Sequence, residues 1–339
     1  MSELSGTGLV FSAVISRLRS RRSGGRFPPV TMRCFYSREF SQDLPLLHPF
    51  QGGKFVQAKD RLVETGVIRG EDIIEVSAAN SFVLERVHSK EYLEKIYRGD
   101  LDLKEQIELG LPVTPKLFHR SSTEVEATRQ ACDAAIRDGI AAVLAGGRHH
   151  ADQSQGKSAC VFNDIAIAVR DLQESRPGIR VMVVDTDSHE GDGTEHILAD
   201  DPSVFLYSLH AGRGKEFSPV TTWGENSALS VETVRYVEGE MYLRQLFSTL
   251  AAALEVFSPN LVIWIAGADN HRDDRFGCML LEEKDFVKRD EVILRAFLKH
   301  RIPVCLTFGS GSNEDRDLTV ELHSRTVETA ARLAAEMRV

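Results

Sequence analysis

Most of the histidines and aspartates that could do chemistry in this sequence directly follow short hydrophobic runs. His149 and His150 follow one run, residues 185–192 follow a second, His210 ends a third and Asp269 follows a fourth. If these runs are parallel strands, their carboxyl ends meet at one edge of a sheet, where ligands bind in open α/β folds. Imidazole and carboxylate groups gathered there could bind a metal ion and transfer protons.

The segment Asp187-Ser188-His189 has the spacing of a metal-binding pattern. Because side chains alternate along an extended chain, Asp187 and His189 would lie on the same side. Asp269, from another strand end, would be the third ligand. Two carboxylates and one imidazole, with open positions for water, suit a catalytic zinc or ferrous ion and also admit manganese. The structural alternative is that these residues only cap turns after the strands.

The tandem His149 and His150 follow two glycines, which allow a neighbouring backbone to approach closely. Adjacent imidazoles need partners, and Asp185 and Asp192 are the carboxylates left to orient them. Two His–Asp pairs beside a metal could accept a proton from metal-activated water and return it to a leaving group. The alternative is a pair of purely structural histidines.

A mainly parallel sheet, covered by helices on both faces, would position these groups. Short β-branched runs alternate with longer segments of helical period, which indicates such a sheet. The predicted strands are 33–36, 73–76, 141–145, 180–184, 204–209, 261–266 and 303–307. The predicted helices are 123–137, 164–173, 239–257, 283–300 and 317–337. The sequence therefore predicts a three-layer αβα fold of the α/β class.

Composition narrows the classes of function. The chain has 339 residues, enough for one large α/β domain or two ordinary ones, and a net charge of −9 that opposes direct binding to nucleic acid. Its longest apolar runs are far shorter than a bilayer span, so no membrane contact is expected. The five cysteines include no CxxC pair, which favours reduced thiols in a cytosol-like compartment. Any metal must then be held by histidines and carboxylates.

Residues 1–31 differ in composition from the rest of the chain. They are rich in arginine and serine, and Glu3 is their only acid. This balance is typical of a transit peptide, but a poorly ordered extension, or an upstream start before Met32, is the simpler interpretation. No linker divides the remainder, so residues 32–339 are predicted to form a single domain of a cytoplasmic protein. The sequence does not specify its oligomeric state.

Several long motifs in fixed order resemble those of the zinc-dependent histone deacetylase family, within the arginase/deacetylase fold. The similarity covers roughly residue 33 to the C-terminus. The motifs are HPF at 48–50 with Gly53 and Lys54, VHSKEYL at 87–93, GGRHH at 146–150, CVFND at 160–164, DTDSHEGDG at 185–193, YSLH at 207–210 and AGAD through DRFG at 266–277. The HPF segment and the compact length are most similar to the class IV branch and its bacterial relatives.

This resemblance implies two metal sites and a reaction. The catalytic zinc ligands would be Asp187, His189 and Asp269. A structural potassium ion would use Asp185, Asp187, His189, Ser208 and Leu209. The reaction would be zinc-assisted amide hydrolysis of an acylated lysine or a similar acylated amine. The proton-transfer residues would be His150 as principal general base and acid, with Asp192 behind it, and His149 as electrostatic support, with Asp185 behind it.

The sequence departs from the family pattern where the oxyanion would be stabilised. Most members have a tyrosine after a glycine-rich turn, and the alignment places Ser312 there. Serine can donate a hydrogen bond but is shorter, and losing one oxyanion donor typically costs about 100- to 1000-fold in rate. A bridging water, Asn313 or a different substrate would be the alternatives. Ala159 stands where many deacetylases have an aromatic wall, which predicts a wider or less apolar channel.

Two main functions therefore remain open. The first is a metal-dependent amidohydrolase acting on an acylated amine. The second is a catalytically weak or inactive zinc-containing protein that binds acyl groups or a partner, as Ser312 and Ala159 suggest. An arginase-like ureohydrolase with two manganese ions is disfavoured, because the chain lacks a second full set of bridging carboxylates.

The remaining notable residues receive plainer interpretations. Five basic residues in loops near the site are interpreted as solvated. The alternative is that they add positive charge at the mouth of the site. They are Arg148, Arg213, Lys215, His271 and Arg272. Surface or helix positions are expected for His119, His196, His300 and His323. Trp223 and Trp264 are expected to pack in the interior. For His210 two interpretations are open: it supports the residues of the site, or it lies at the rim where substrate binds.

Overall fold

The computed structural model describes residues 32–41, 48, 50, 52–212, 220–223 and 228–337. The predicted basic extension over residues 1–31 lies outside the described residues. Arg213 and Lys215 also lie outside them.

In the described part of the chain, nine strands form the central sheet. They are β1 (Arg33–Tyr36), β2 (Ile73–Glu75), β3 (Ile140–Val143), β4 (Val181–Asp185), β5 (Val204–Ala211), β6 (Val220–Trp223), β7 (Ala228–Thr233), β9 (Leu261–Ile265) and β11 (Val304–Thr307). Their order is β2-β1-β3-β11-β9-β4-β5-β7-β6, and only β6 and β7 pair antiparallel. A separate parallel pair comprises β8 (Val237–Glu238) and β10 (Met279–Leu280). The predicted mainly parallel sheet is confirmed.

Helices connect the strands and cover the sheet. They are α1 (Lys54–Glu64), α2 (Ser81–Leu84), α3 (Lys90–Arg98), α4 (Leu103–Leu109), α5 (Pro115–Asp138), α6 (Asp164–Ser175), α7 (Asp192–Leu198), α8 (Gly239–Val256), α9 (Glu283–Leu298) and α10 (Arg316–Glu336). Strands β3, β4, β9 and β11 are buried at every position, as expected for a sheet covered on both faces. None of the helices in the described ranges has the length and apolarity needed to cross a bilayer.

Helix α5 begins at Pro115, eight residues before the start predicted at residue 123. Thr114 caps it by accepting a hydrogen bond from the backbone N–H of Leu117, and proline is well suited to a first helical position. The hydroxyls of Ser122 and Thr123 can compete with backbone hydrogen bonds, which weakens the helical pattern near the predicted start. Their hydroxyls instead donate to backbone carbonyls four residues earlier, at 2.8 Å in each case.

The sheet order brings the strand ends with polar residues together. Strands β3, β11, β9, β4 and β5 are consecutive neighbours. Their register aligns Val143 with Thr307, Thr307 with Ile265, and Ile265 with Asp185. The turns after these strands therefore start at the same level of one edge, as the sequence pattern predicts.

Candidate active site

Two glycine turns, after β3 and β11, form the floor of the site. A Cβ atom on Gly147 would lie 2.8 Å from the Cα of Gly309, and both glycines have positive φ, +74° and +68°. The carboxylate of Asp164 then accepts hydrogen bonds from the N–H groups of Gly147, at 3.1 Å, and Arg148, at 2.7 Å. These contacts fix the turn that carries the tandem histidines.

The structure brings Asp187, His189 and Asp269 together at this edge. One potential ligand atom from each residue lies within 4.8 Å of the others. Nδ1 of His189 is 2.8 Å from Oδ2 of Asp269 and 3.1 Å from Oδ1 of Asp187. Both carboxylates are buried, whereas His189 is partly exposed. Two carboxylate oxygens and one imidazole nitrogen, with His189 partly open to solvent, fit a catalytic zinc ion.

Two serines, which the sequence analysis did not single out, hold the carboxylates in place. Ser188 donates to Asp269 through its N–H at 2.9 Å and its hydroxyl at 2.6 Å. Ser310 donates to Oδ2 of Asp187 through its N–H at 3.0 Å and also through its hydroxyl. Such outer contacts orient metal ligands. The only sequence signal for Ser310 is its place in the glycine-rich run after β11.

Each of the tandem histidines pairs with the aspartate predicted for it. Nδ1 of His149 lies 2.7 Å from Oδ2 of Asp185, and Nδ1 of His150 lies 2.7 Å from Oδ1 of Asp192. An Nδ1–H that donates to a carboxylate leaves Nε2 as the second functional nitrogen of each ring. The ring centroids of the two histidines are 4.2 Å apart, so the charge of one affects the other.

The environments of these two imidazoles differ in charge. Burial and the adjacent His149 lower the pKa of His150 to about 4, although Asp192 opposes this shift. Burial also disfavours the charged form of His149, but Asp185 and Asp187 outweigh it and raise its pKa to about 9. At neutral pH, His150 is therefore neutral and able to accept a proton, while His149 is cationic.

A cavity of about 380 Å³ connects this group with the surface. Its lining includes His149, His150, His189 and Asp269. The side chains of Ile107 and Phe276 line its outer end and are 70% and 48% exposed. Ala159 also lines it, and this position contributes a methyl group instead of a ring. The cavity could admit a narrow substrate side chain to the metal-binding group.

Ser312 and Asn313 have different surroundings. Ser312 lines the cavity, and its backbone N–H donates to Oδ2 of Asp274. Asn313 is fully buried, and both its backbone N–H and its Nδ2 donate to the hydroxyl of Thr319 at 3.1 Å. Asn313 is not among the residues that line the cavity, and its Nδ2 donates toward helix α10, so these contacts do not support it as the missing oxyanion donor.

Three residues assigned to loops or surfaces are buried. Arg148 is not a solvated loop residue, because its Nε and Nη2 each donate to Glu124 at 2.7 Å. His271 is 3% exposed. His323 lies on α10 as expected, but its ring stacks on Phe308 at 4.4 Å beneath the glycine-rich turn. The sequence gives no signal for these burials, since each depends on packing between distant elements.

Two of the residues assigned to potassium, Asp187 and His189, belong to the metal-binding group itself. Ser208 is the register partner of Asp185 on the neighbouring strands β5 and β4. Leu209 follows on β5 and is fully buried. The hydroxyl of Ser208 is 2.9 Å from Nδ1 of His210, which is also buried. His210 therefore lies within the fold and not at the rim of the cavity.

Metal binding at this site is expected to depend on pH. Burial alone would lower the pKa of His189, but its hydrogen bonds to Asp187 and Asp269 raise that pKa to about 11. A metal ion must displace this proton, so zinc affinity should increase about tenfold per pH unit between pH 6 and 8. Zinc competition titrations would measure the slope. The exposed His196 provides a control, since His196→Gln should leave the slope unchanged; an affinity independent of pH would contradict the expectation.

Comparison with known proteins identifies relatives of the chain. Residues 48–324 match the histone deacetylase domain family. Over 289 residues, the chain is 31% identical to an uncharacterized protein of Picosynechococcus sp., covering 85% of this chain and 95% of the relative. It is 28% identical to Histone deacetylase 2 of Arabidopsis thaliana, covering 78% and 70%. It is 26% identical to the acetoin utilization protein AcuC of Bacillus subtilis, covering 67% and 63%.

Solved structures show the same fold at lower sequence identity. An HDAC homolog from Aquifex aeolicus has a TM-score of 0.73 at 20% identity, covering 90% of this chain and 84% of that chain. The HDA15 HD domain has a TM-score of 0.74 at 19% identity, covering 91% and 90%.

Proposed function

The chain belongs to the histone deacetylase family, and from this premise we propose that it is a metal-dependent amidohydrolase. It would remove the acyl group from an acylated lysine or a similar amine. The observation that carries this proposal is that His189 and Asp269 of the metal-binding group line the same cavity as His149 and His150. A substrate carbonyl in that cavity would therefore meet metal ligands and proton-transfer groups together.

The proposal includes two metal ions. Asp187, His189 and Asp269 would hold one zinc ion, and their oxygen and nitrogen donors suit that metal. When bound, zinc supplies Lewis acidity that activates water and polarises a carbonyl. The structural potassium ion proposed from the family resemblance would use Asp185, Asp187, His189, Ser208 and Leu209.

The two histidines would divide the proton transfer. His150 is neutral at pH 7 and donates its Nδ1–H to Asp192, so Nε2 can accept a proton from the attacking water. The same nitrogen can then return the proton to the leaving amine. His149, paired with Asp185, would stabilise negative charge that develops on the carbonyl oxygen.

A panel of acyl-lysine peptides and acylated polyamines, assayed with zinc, tests the proposed activity. We expect zinc-dependent release of free amine from at least one acyl class. The His150→Ala variant serves as the background control. If no member of the panel is hydrolysed faster by the wild type than by this variant, the proposed activity is wrong.

A binding function remains the second candidate, because our alignment with the family places Ser312 where a tyrosine is expected. If only the oxyanion donor is missing, Ser312→Tyr should raise kcat/KM on acetyl-lysine by about 100-fold or more. Ser312→Phe matches the size of the ring without its hydroxyl and should give no such gain. Tight ligand binding by Ser312→Tyr without any gain in rate would favour the binding function.

A further inference from the structure

The inner part of the cavity contains an ammonium group that makes no salt bridge within the described ranges. Lys54, the first residue of α1, lines the cavity and is 4% exposed. Its Nζ donates one hydrogen bond, to the carbonyl oxygen of Gly311 at 3.0 Å. It lies 5.7 Å and 5.3 Å from the ring centroids of Phe50 and Phe55. An ammonium has three donors, so Lys54 has hydrogen-bonding capacity left for a ligand.

Two further cations lie in the same region, and both already bind one carboxylate. Arg148 and Arg120 each donate to Glu124, with distances of 2.7 Å. Their guanidinium carbons lie 5.4 Å and 4.7 Å from the ring centroid of Phe50, the same ring that Lys54 faces. Within the described residues, Glu124 is the one carboxylate that is ion-paired with these cations, while Asp274, Asp187 and Asp269 act on Lys54 without forming a salt bridge to it. The region therefore has an excess of positive charge that favours an anionic ligand.

One cavity carboxylate outside the metal-binding group, Asp274, accepts hydrogen bonds from other donors. Asp274 accepts hydrogen bonds from the backbone N–H groups of Ser312, Phe276 and Gly277. It forms no salt bridge with Lys54, although it lines the same cavity. Burial and Arg148 lower the pKa of Lys54 to about 8, which still leaves the ammonium as the major form at pH 7.

The direction of substrate entry places the acyl group toward Lys54. Ile107 and Phe276 at the mouth are well exposed, whereas Lys54 is almost fully buried. A lysine in a peptide cannot enter backbone first, so its carrier stays at the mouth while the acyl group enters the cavity. The end of the acyl group beyond the scissile carbonyl would then approach the inner lining.

We propose that Lys54 forms a carboxylate subsite, so that the enzyme prefers acyl groups ending in a carboxylate, such as succinyl or glutaryl. This inference rests on the proposed function and names its substrate class. A charge-assisted hydrogen bond in a buried site is strong, and such a site discriminates against a neutral isostere. Hydrolysis would consume one water, break the amide C–N bond and release the free amine and a dicarboxylate.

The test compares peptides containing Nε-succinyl-lysine with the same peptides containing the neutral isostere, Nε-succinamoyl-lysine. With the full-length zinc-loaded protein, kcat/KM should be at least about tenfold higher for the succinyl peptide. Lys54→Met should remove this preference, and Lys54→Arg should retain it. Lys59 lies on the same helix but pairs with Asp60 and does not line the cavity, so Lys59→Met is the matched control.

Calorimetric binding of the same two peptides to the zinc-free protein tests the subsite without turnover. The wild type should bind the succinyl peptide at least about tenfold more tightly, and Lys54→Met should bind both equally. Equal binding by the wild type, or a preference that survives in a folded Lys54→Met, would overturn the subsite. Equal losses on both substrates in Lys54→Met would also overturn it. Failure of every acyl peptide in the rate assay would count against the proposed hydrolase, while the binding measurement still decides the subsite.

Discussion

Replacement of His150 by alanine is expected to lower acyl-lysine hydrolysis by about 100- to 10,000-fold, the range typical of a general base. The reason is that His150 is neutral at pH 7 and bonded to Asp192, which leaves it free to accept a proton. It is not one of the three grouped metal ligands, so zinc content should remain close to that of the wild type. Steady-state kinetics together with metal analysis would measure both quantities.

The matched control for this prediction is His196→Ala. His196 is exposed and hydrogen-bonds to Asp152 on the surface, at 3.2 Å. Its loss should leave kcat and KM near wild-type values. If His150→Ala retained more than about a tenth of the wild-type rate, the general-base role of His150 would be wrong.

Asp269→Asn is expected to remove zinc binding and hydrolysis together. Asp269 supplies one of only two carboxylates in the metal-binding group and is 1% exposed. Loss of its charge should weaken zinc binding by more than the 10- to 100-fold that is typical of an outer-sphere change. Zinc affinity by competition titration and kcat/KM at fixed zinc would show whether both fall in parallel.

Asp273 provides a nearby control for this substitution. Its side chain is 61% exposed and lies in the same loop. Asp273→Asn should therefore leave zinc affinity unchanged. Retention of wild-type zinc affinity by Asp269→Asn would show that the proposed ligand set is wrong.

The arrangement of the candidate site followed from sequence because each strand carries its polar residues at a fixed end. In a parallel sheet all such ends lie on one edge, so Asp187 and Asp269 converge although they are far apart in the chain. The need of buried imidazoles for partners pointed to Asp185 and Asp192 together, and the family resemblance assigned Asp192 to His150. The convergence of the metal ligands needed only strand direction.

The parts that sequence did not reveal depend on packing between distant elements. Arg148 is adjacent to the tandem histidines and reads as a loop cation, but Glu124 on α5 neutralises it in the interior. His323 reads as an ordinary helical residue, yet it stacks on Phe308 under the site. Asn313 reads as a possible donor beside Ser312, but its amide is bound by Thr319. No periodic pattern encodes any of these contacts.

The beginning of α5 shows a different limit. Ser122 and Thr123 weaken the helical signal because their hydroxyls can compete with backbone hydrogen bonds. In the folded chain they bond within the helix, and the favourable start at Thr114 and Pro115 determines where it begins. Thr114 and Pro115 therefore mark this boundary better than the hydrophobic period does.

The measurement that tests the central claim most directly is a zinc titration of the metal-stripped, full-length protein, monitored by hydrolysis of an acyl-lysine peptide. We expect no activity before zinc is added and a linear rise that ends at one zinc ion per chain. The same titration of Asp269→Asn should give no rise. Absence of turnover at every zinc ratio, or a rise that requires two ions per chain, would contradict a single-zinc amidohydrolase.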